Sequence, residues 1–129
     1  MLITQTSRRP YAEVCARLND SCGRHGYGVL ASHDIGATLH SKGLEHPAQC
    51  RVFEICHPGH AAAILAADPH LAAALPCRIA AVELNGTTTL SMLSPRQLLQ
   101  SLNDTDSVQA LAEQVEQDTV AILTEAAAP

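Results

Sequence analysis

Between positions 56 and 60 the chain reads Cys56-His57-Pro58-Gly59-His60, a thiol and two imidazoles in one short stretch. No other segment gathers reactive side chains so closely. Sulfur and imidazole are the donor types that suit zinc, copper or iron. A thiol beside an imidazole is also the pairing that activates a nucleophile. Ile55 closes a β-like run and Pro58 suits a first helical position, so Cys56 and His57 are expected beside the free backbone N–H groups of a helix N-terminus. That field favours a thiolate over a thiol and a neutral imidazole over a charged one.

Three uses of the cluster follow. As a metal site it would employ Cys56, His57 and His60, but no C-x-x-C pair supplies further ligands. Cys22-x-x-His25 is an imperfect second pair, and the other histidines, 33, 40, 46 and 70, fall in loops or on solvent faces. As a thiol site it would employ Cys56 as nucleophile or sulfur carrier, with Cys77 in support. If the strands ending at Cys56 and starting at Cys77 ran parallel, about six residues at ~3.3 Å each would separate the thiols by roughly 20 Å. That is far beyond the ~7 Å limit for a bridge, unless the break at Asp68-Pro69 folds the chain back. As a structural feature, Cys56 would fill a small gap, His57 would cap the helix and His60 would lie on its first turn.

Strand alternation puts Glu54 on the same face as Cys56, which adds it to the ligand-binding candidates. Glu54 and Glu83 could also form a carboxylate pair on neighbouring strands, although such acids usually face solvent. A Gly-rich phosphate loop, a G-x-S-x-G elbow and an H-E-x-x-H helix are all missing from the sequence. The cluster therefore reads first as a non-enzymatic site for a small ligand or a metal.

The elements that must position it are legible from periodicity. Residues 2–7 alternate as a strand, and Pro10 opens a helix with apolar Tyr11, Val14, Cys15, Leu18 and Cys22, stopping at Gly23 or Gly26. Tyr27 to His33 reads as a strand, Ile35 to Ser41 as a short helix or turn, and 43–49 as a loop around Pro47. Cys50 to Cys56 is a strand and Pro58 to Ala67 an alanine-rich helix that Asp68-Pro69 interrupts, with a helical piece over 70–75. Arg78 to Leu84, Asn85-Gly86 and Thr87 to Leu93 spell a hairpin with a type I′ turn. Helices follow from Pro95 to Leu102 and, with Val108, Leu111, Val115, Thr119 and Ile122 in step and Glu113 and Glu116 toward solvent, from there to the end. The prediction is one α/β (α+β) domain over residues 1–125. It has a single mixed sheet of about five strands with a C-terminal hairpin, helices largely on one face, and a disordered tail at 126–129.

At 129 residues the chain can bury one core without staples. Aromatic residues make up 2% and the net charge is −5, which argues against base-stacking platforms, phosphate backbones and anionic membrane surfaces. A small molecule or a second copy of the chain is the better partner. Five cysteines without an export signal, and no apolar run of ~20 residues, point to reduced thiols in the cytoplasm.

The segments Tyr27-Gly28-Val29-Leu30, Phe53-Glu54-Ile55-Cys56-His57-Pro58, Ala66-Ala67-Asp68-Pro69 and Leu75-Pro76-Cys77-Arg78-Ile79, with the hairpin after them, resemble the DUF302 family of small bacterial and archaeal proteins. The match in order and spacing covers nearly the whole chain. Family members carry glycine-aromatic-glycine-valine, cysteine-asparagine-proline and leucine-proline-cysteine at these blocks, so Cys56, Pro58 and Cys77 fall on motif positions. His57 replaces the usual asparagine, and His60 falls where an apolar or variable residue is common. The resemblance implies a compact α/β sheet with helices, often dimeric. It assigns no activity, and so leaves a structural or regulatory homodimer open beside the two chemical readings.

Overall fold

The computed structural model describes residues 1–46 and 48–129, so the expected loop around Pro47 is partly outside the described residues. Strand β1 (Leu2–Ser7) leads into helix α1 (Tyr11–Arg24), strand β2 (Gly28–Asp34) and the short helix α2 (Ile35–Ser41). Strand β3 (Gln49–Cys56), helix α3 (Pro58–Ala67) and a 3-10 helix (Pro69–Ala74) precede β4 (Cys77–Leu84), β5 (Thr87–Leu93), α4 (Pro95–Leu102) and α5 (Asp106–Ala127). The strands form one sheet in the order β1-β5-β4-β3-β2. Every neighbouring pair is antiparallel, so the expected mixed sheet is corrected to a wholly antiparallel one in an α+β fold.

A helix between β3 and β4 suits a parallel crossover. Instead α3 leaves the end of β3, Asp68 stops it, and the chain returns to the same end. Asp68 then accepts from His70 N at 3.0 Å, capping the 3-10 helix. Ile55 consequently lies opposite Cys77. The β4–β5 hairpin turns through Asn85 and Gly86 at φ 55° and 81°, the paired positive values a type I′ turn needs. It lies in the middle of the sheet, with β1 outside β5, and it does not end the chain, because α4 and α5 follow.

Alternation then separates the two sheet faces. Phe53, Ile55, Ile79, Ala81, Leu90 and Met92 are buried beneath α1 and α5. Cys50, Val52, Ala80, Val82, Thr89 and Ser91 are half-buried on the other face. On the helical side the core has two parts. Val14, Leu18 and Cys22 of α1 meet Ile122, Leu123 and Ala126 of α5 over the sheet. Ile64, Leu71 and Leu99 meet Val108, Ala112 and Val115 farther along α5. Ala126 and Ala127 are buried helical residues, which corrects the expected tail. Glu116 is turned inward rather than to solvent, accepting from Ser94 Oγ, the N-cap of α4. Among the described residues no helix is long and apolar enough to cross a membrane.

The last turn of α5 is tied to α1 by polar contacts. Glu125 accepts from Ser21 Oγ at 2.6 Å, from His25 Nε2 at 2.9 Å and from Arg24 at 3.2 Å. The hydrogen bonds from Ser21 and His25 lead in holding its carboxyl at about 2, well under its ordinary 4.5. A depressed carboxylate contributes stability above its unfolded pKa and loses it as the pH falls toward the folded one. Replacement Glu125→Gln is expected to cost roughly 1 kcal/mol at pH 7, the upper range for a solvent-screened pair. The difference in melting temperature from wild type should close as the pH falls from 4.5 to about 2. A gap that stays constant over that window would show that the carboxylate charge is not what ties α5 to α1.

Candidate functional site

The start of α3 is built as its sequence implies. His57 is the N-cap and Pro58 opens the helix, and His57 Nδ1 accepts from the backbone N–H of His60 at 3.1 Å. Nδ1 therefore keeps its lone pair, and a neutral ring carries its proton on Nε2. Two glycines make room for the ring. A Cβ at Gly59 would stand 3.1 Å from His57 Cε1, and one at Gly26 would stand 3.2 Å from Cδ2. Gly26 also has a φ of +80°, where α1 ends, so a side chain there would meet both a strained backbone and the ring.

His60, one turn on, stacks on His57 with ring centroids 3.8 Å apart and planes inclined by 22°. Tyr27 packs edge-on to His57 at 5.3 Å. Behind the stack stands Asp118 of α5. Its Oδ2 accepts from Tyr27 Oη at 3.0 Å and lies 3.1 Å from His60 Nε2, while Gln114 Nε2 donates to Oδ1 at 2.9 Å. A carboxylate can only accept, so His60 Nε2 donates and Nδ1 is left without a protein partner among the described residues. Burial opposes ionisation of Asp118, but donation from Gln114, Tyr27 and His60 outweighs it and holds the carboxyl below its usual range. Burial, followed by the charge of Asp118, pushes the Tyr27 phenol upward. Tyr27 is thus a proton donor held in place.

This cluster borders a cavity of about 430 Å³ at the end of the sheet. Its walls are Ile64, Leu75, Met92, Leu98, Leu99 and Val115, drawn from α3, the segment before β4, β5, α4 and α5. Tyr27, Cys56, His57, His60, Cys77 and Arg78 supply the polar rim. Cys56, His57 and His60 are therefore brought to one site, and Cys77 with them. With β3 and β4 antiparallel, Cys56 and Cys77 lie at the same end of the sheet, and the separation of roughly 20 Å expected for parallel strands does not hold. Cys77 is nonetheless a poor nucleophile, because burial, and then the nearby Cys56 sulfur, raise its thiol to about 11.

Other expectations part from the cluster. Glu54 does not line the cavity; its carboxylate lies 3.6 Å from His33 Nε2 and 3.8 Å from Arg78 Nε. Glu54 and Glu83 sit opposite Arg78 and Gln49, at different ends of the sheet, so they form no acid pair. Cys22 is fully buried, with its thiol raised to about 11 by burial, and His25 is engaged by Glu125. The second pair they suggested does not form. Among the described residues no three His, Cys, Asp or Glu side chains are grouped to hold a metal ion, Cys56, His57 and His60 included. Asp118 and Tyr27 had no local sequence signal, since Asp118 is 58 positions from His60 and 91 from Tyr27.

A family model described as "Domain of unknown function DUF302" matches residues 3–126. Among solved structures, the crystal structure of an uncharacterized conserved protein DUF302 from Bacillus stearothermophilus is similar over 97% of each chain, with a TM-score of 0.91 and 26% identity. No curated protein matches.

The thiol environments make a direct prediction. Iodoacetamide at pH 7.5 should modify Cys77 and Cys22 roughly a hundredfold more slowly than a free thiol, and at the ordinary rate once guanidinium unfolds the chain. Peptide mass spectrometry over a time course reads both rates. Labelling of Cys77 at the free-thiol rate in the folded protein would show it to be an open, reactive group.

Proposed function

Because the chain belongs to the DUF302 family, described only as a domain of unknown function, we propose from its site that it is a cytoplasmic module binding a small, largely apolar molecule in the cavity beside His57 and His60. The observation that carries this reading is the preformed cavity of about 430 Å³, apolar along its walls and polar at one end. Ligand sites are commonly of this size and make-up. Ring packing, the shared acceptor Asp118 and the His60 N–H to His57 Nδ1 bond hold Tyr27, His57 and His60 in place, so little ordering cost remains for the ligand to meet. The free thiols support the cytoplasmic setting, where reduced cysteines persist.

Fluorescence titration with 2-naphthol, two fused rings with a hydroxyl, tests the reading. Wild type is expected to give one saturable site, and Ala74→Trp, which fills the cavity from the 3-10 helix, to abolish saturation while keeping the helical circular dichroism. Absence of saturable binding by wild type would overturn the proposal, as would unchanged binding by a folded Ala74→Trp.

A second reading, a homodimer through the open sheet face, is favoured by the residues on that face. Val52 lies opposite Ala80 and Ala80 opposite Ser91, a neutral row across three strands. Sedimentation at micromolar concentration should then give a dimer for wild type and a monomer for Ala80→Glu. A monomeric wild type removes this reading and leaves the cavity reading intact.

A further inference from the structure

His60 has the surroundings of a base as well as of a contact. It lines the cavity, one ring nitrogen is committed to Asp118, and the other has no protein partner among the described residues. Asp118 is itself fixed on both oxygens, by Tyr27 and Gln114, and does not line the cavity. The side chains of His60 and Asp118 are 23% and 19% exposed, so the pair is only partly screened by solvent. An imidazole oriented by a carboxylate through one nitrogen, with the second directed elsewhere, is the arrangement by which a histidine accepts a proton and has the resulting charge balanced. The ring of His57, stacked 3.8 Å away, presents its π face to that charge. Its Nδ1 is kept unprotonated by the helix N–H, so the stack need not hold two cations.

We propose that the cavity is a general-base site in which His60 removes a proton from a small, largely apolar carbon acid, with Asp118 as the positioning residue. This rests on the ligand-binding reading above. The required chemistry needs no metal, oxidant or second substrate. His60 Nδ1 takes the proton from carbon, and the electron pair of the broken C–H bond becomes a π bond to the adjacent atom as that atom's bond to a leaving oxygen breaks, the pair of that bond going to oxygen. The imidazolium then returns its proton to water.

The probe 5-nitrobenzisoxazole makes the step visible. When its C3 proton leaves, the C–H electron pair becomes the third bond of a nitrile. The N–O bond breaks, its pair goes to oxygen, and the coloured cyanophenolate appears. Displacement of 2-naphthol measures binding of the probe separately from its conversion. Wild type is expected to convert bound probe at least a hundredfold faster than buffer of the same pH, within the range that positioned bases supply. His60→Phe should still displace 2-naphthol yet lose the acceleration. Asp118→Asn should lower kcat about tenfold with KM unchanged, a split that general loosening of the site would not produce. Probe that binds wild type without acceleration, or a His60→Phe variant that retains it, overturns the general-base proposal and leaves the binding function standing. Failure of wild type to bind either compound overturns both. Should His60→Phe not fold, an Asp118→Asn variant with unchanged kcat overturns the proposal by itself.

Discussion

Everything in this molecule is organised by one long apolar stripe, that of α5. A helix of 22 residues rises about 33 Å at 1.5 Å per residue, enough to cross the whole domain. Its final turns supply Ile122, Leu123 and Ala126 to the cluster over the sheet, and its first turns supply Val108, Ala112 and Val115 to the cluster with α3 and α4. Burying each of the valines, the leucine and the isoleucine is worth about 1.5–3 kcal/mol, so neither cluster is independent of the helix that joins them. Cys77 packs against both clusters, which marks the seam. The cavity opens at that seam, and Asp118 lies on the stretch of α5 that passes it. The docked helix therefore holds both halves of the core and the polar site together.

The polar site has a matching internal logic. An ionised carboxylate in partly buried surroundings is costly unless its lone pairs are satisfied. Asp118 meets that condition with donors from three directions: Gln114 on its own helix, Tyr27 at the start of the sheet's edge strand and His60 on α3. The same bonds fix the tautomer of His60, and the helix cap fixes that of His57. Orientation of both imidazoles thus follows from backbone and carboxylate contacts.

Much of the fold could be read locally, because hydrophobic periodicity, prolines and the Asn85-Gly86 turn are short-range signals. Pro58 and Pro95 marked their helix starts, and Asp68-Pro69 marked the break after α3. Strand pairing could not be read in that way. A helix between two strands suits a parallel crossover, and only the reversal at Asp68 brings β4 back antiparallel to β3. The cluster at residues 56–60 was visible because its members adjoin in sequence. Asp118 was not, since an acidic residue flanking an apolar stripe looks like any solvent-facing one until the partner helix is in place. The helix at 126–127 was missed for a related reason: alanines carry little hydrophobic signal, yet small residues are what lets α5 approach α1 and the sheet closely.

The return of the chain to the same end of the sheet separates two kinds of sequence freedom. Register and strand order are set by β3, β4 and β5, whereas one wall of the cavity is set by an excursion that leaves at Cys56 and re-enters at Cys77. Side chains on that excursion that line the cavity outside the packed core, such as Ala61 and Ala73, take part in no strand pair. The domain is therefore arranged so that the shape of this cavity wall can drift while the sheet, the long helix and the imidazole stack stay as they are.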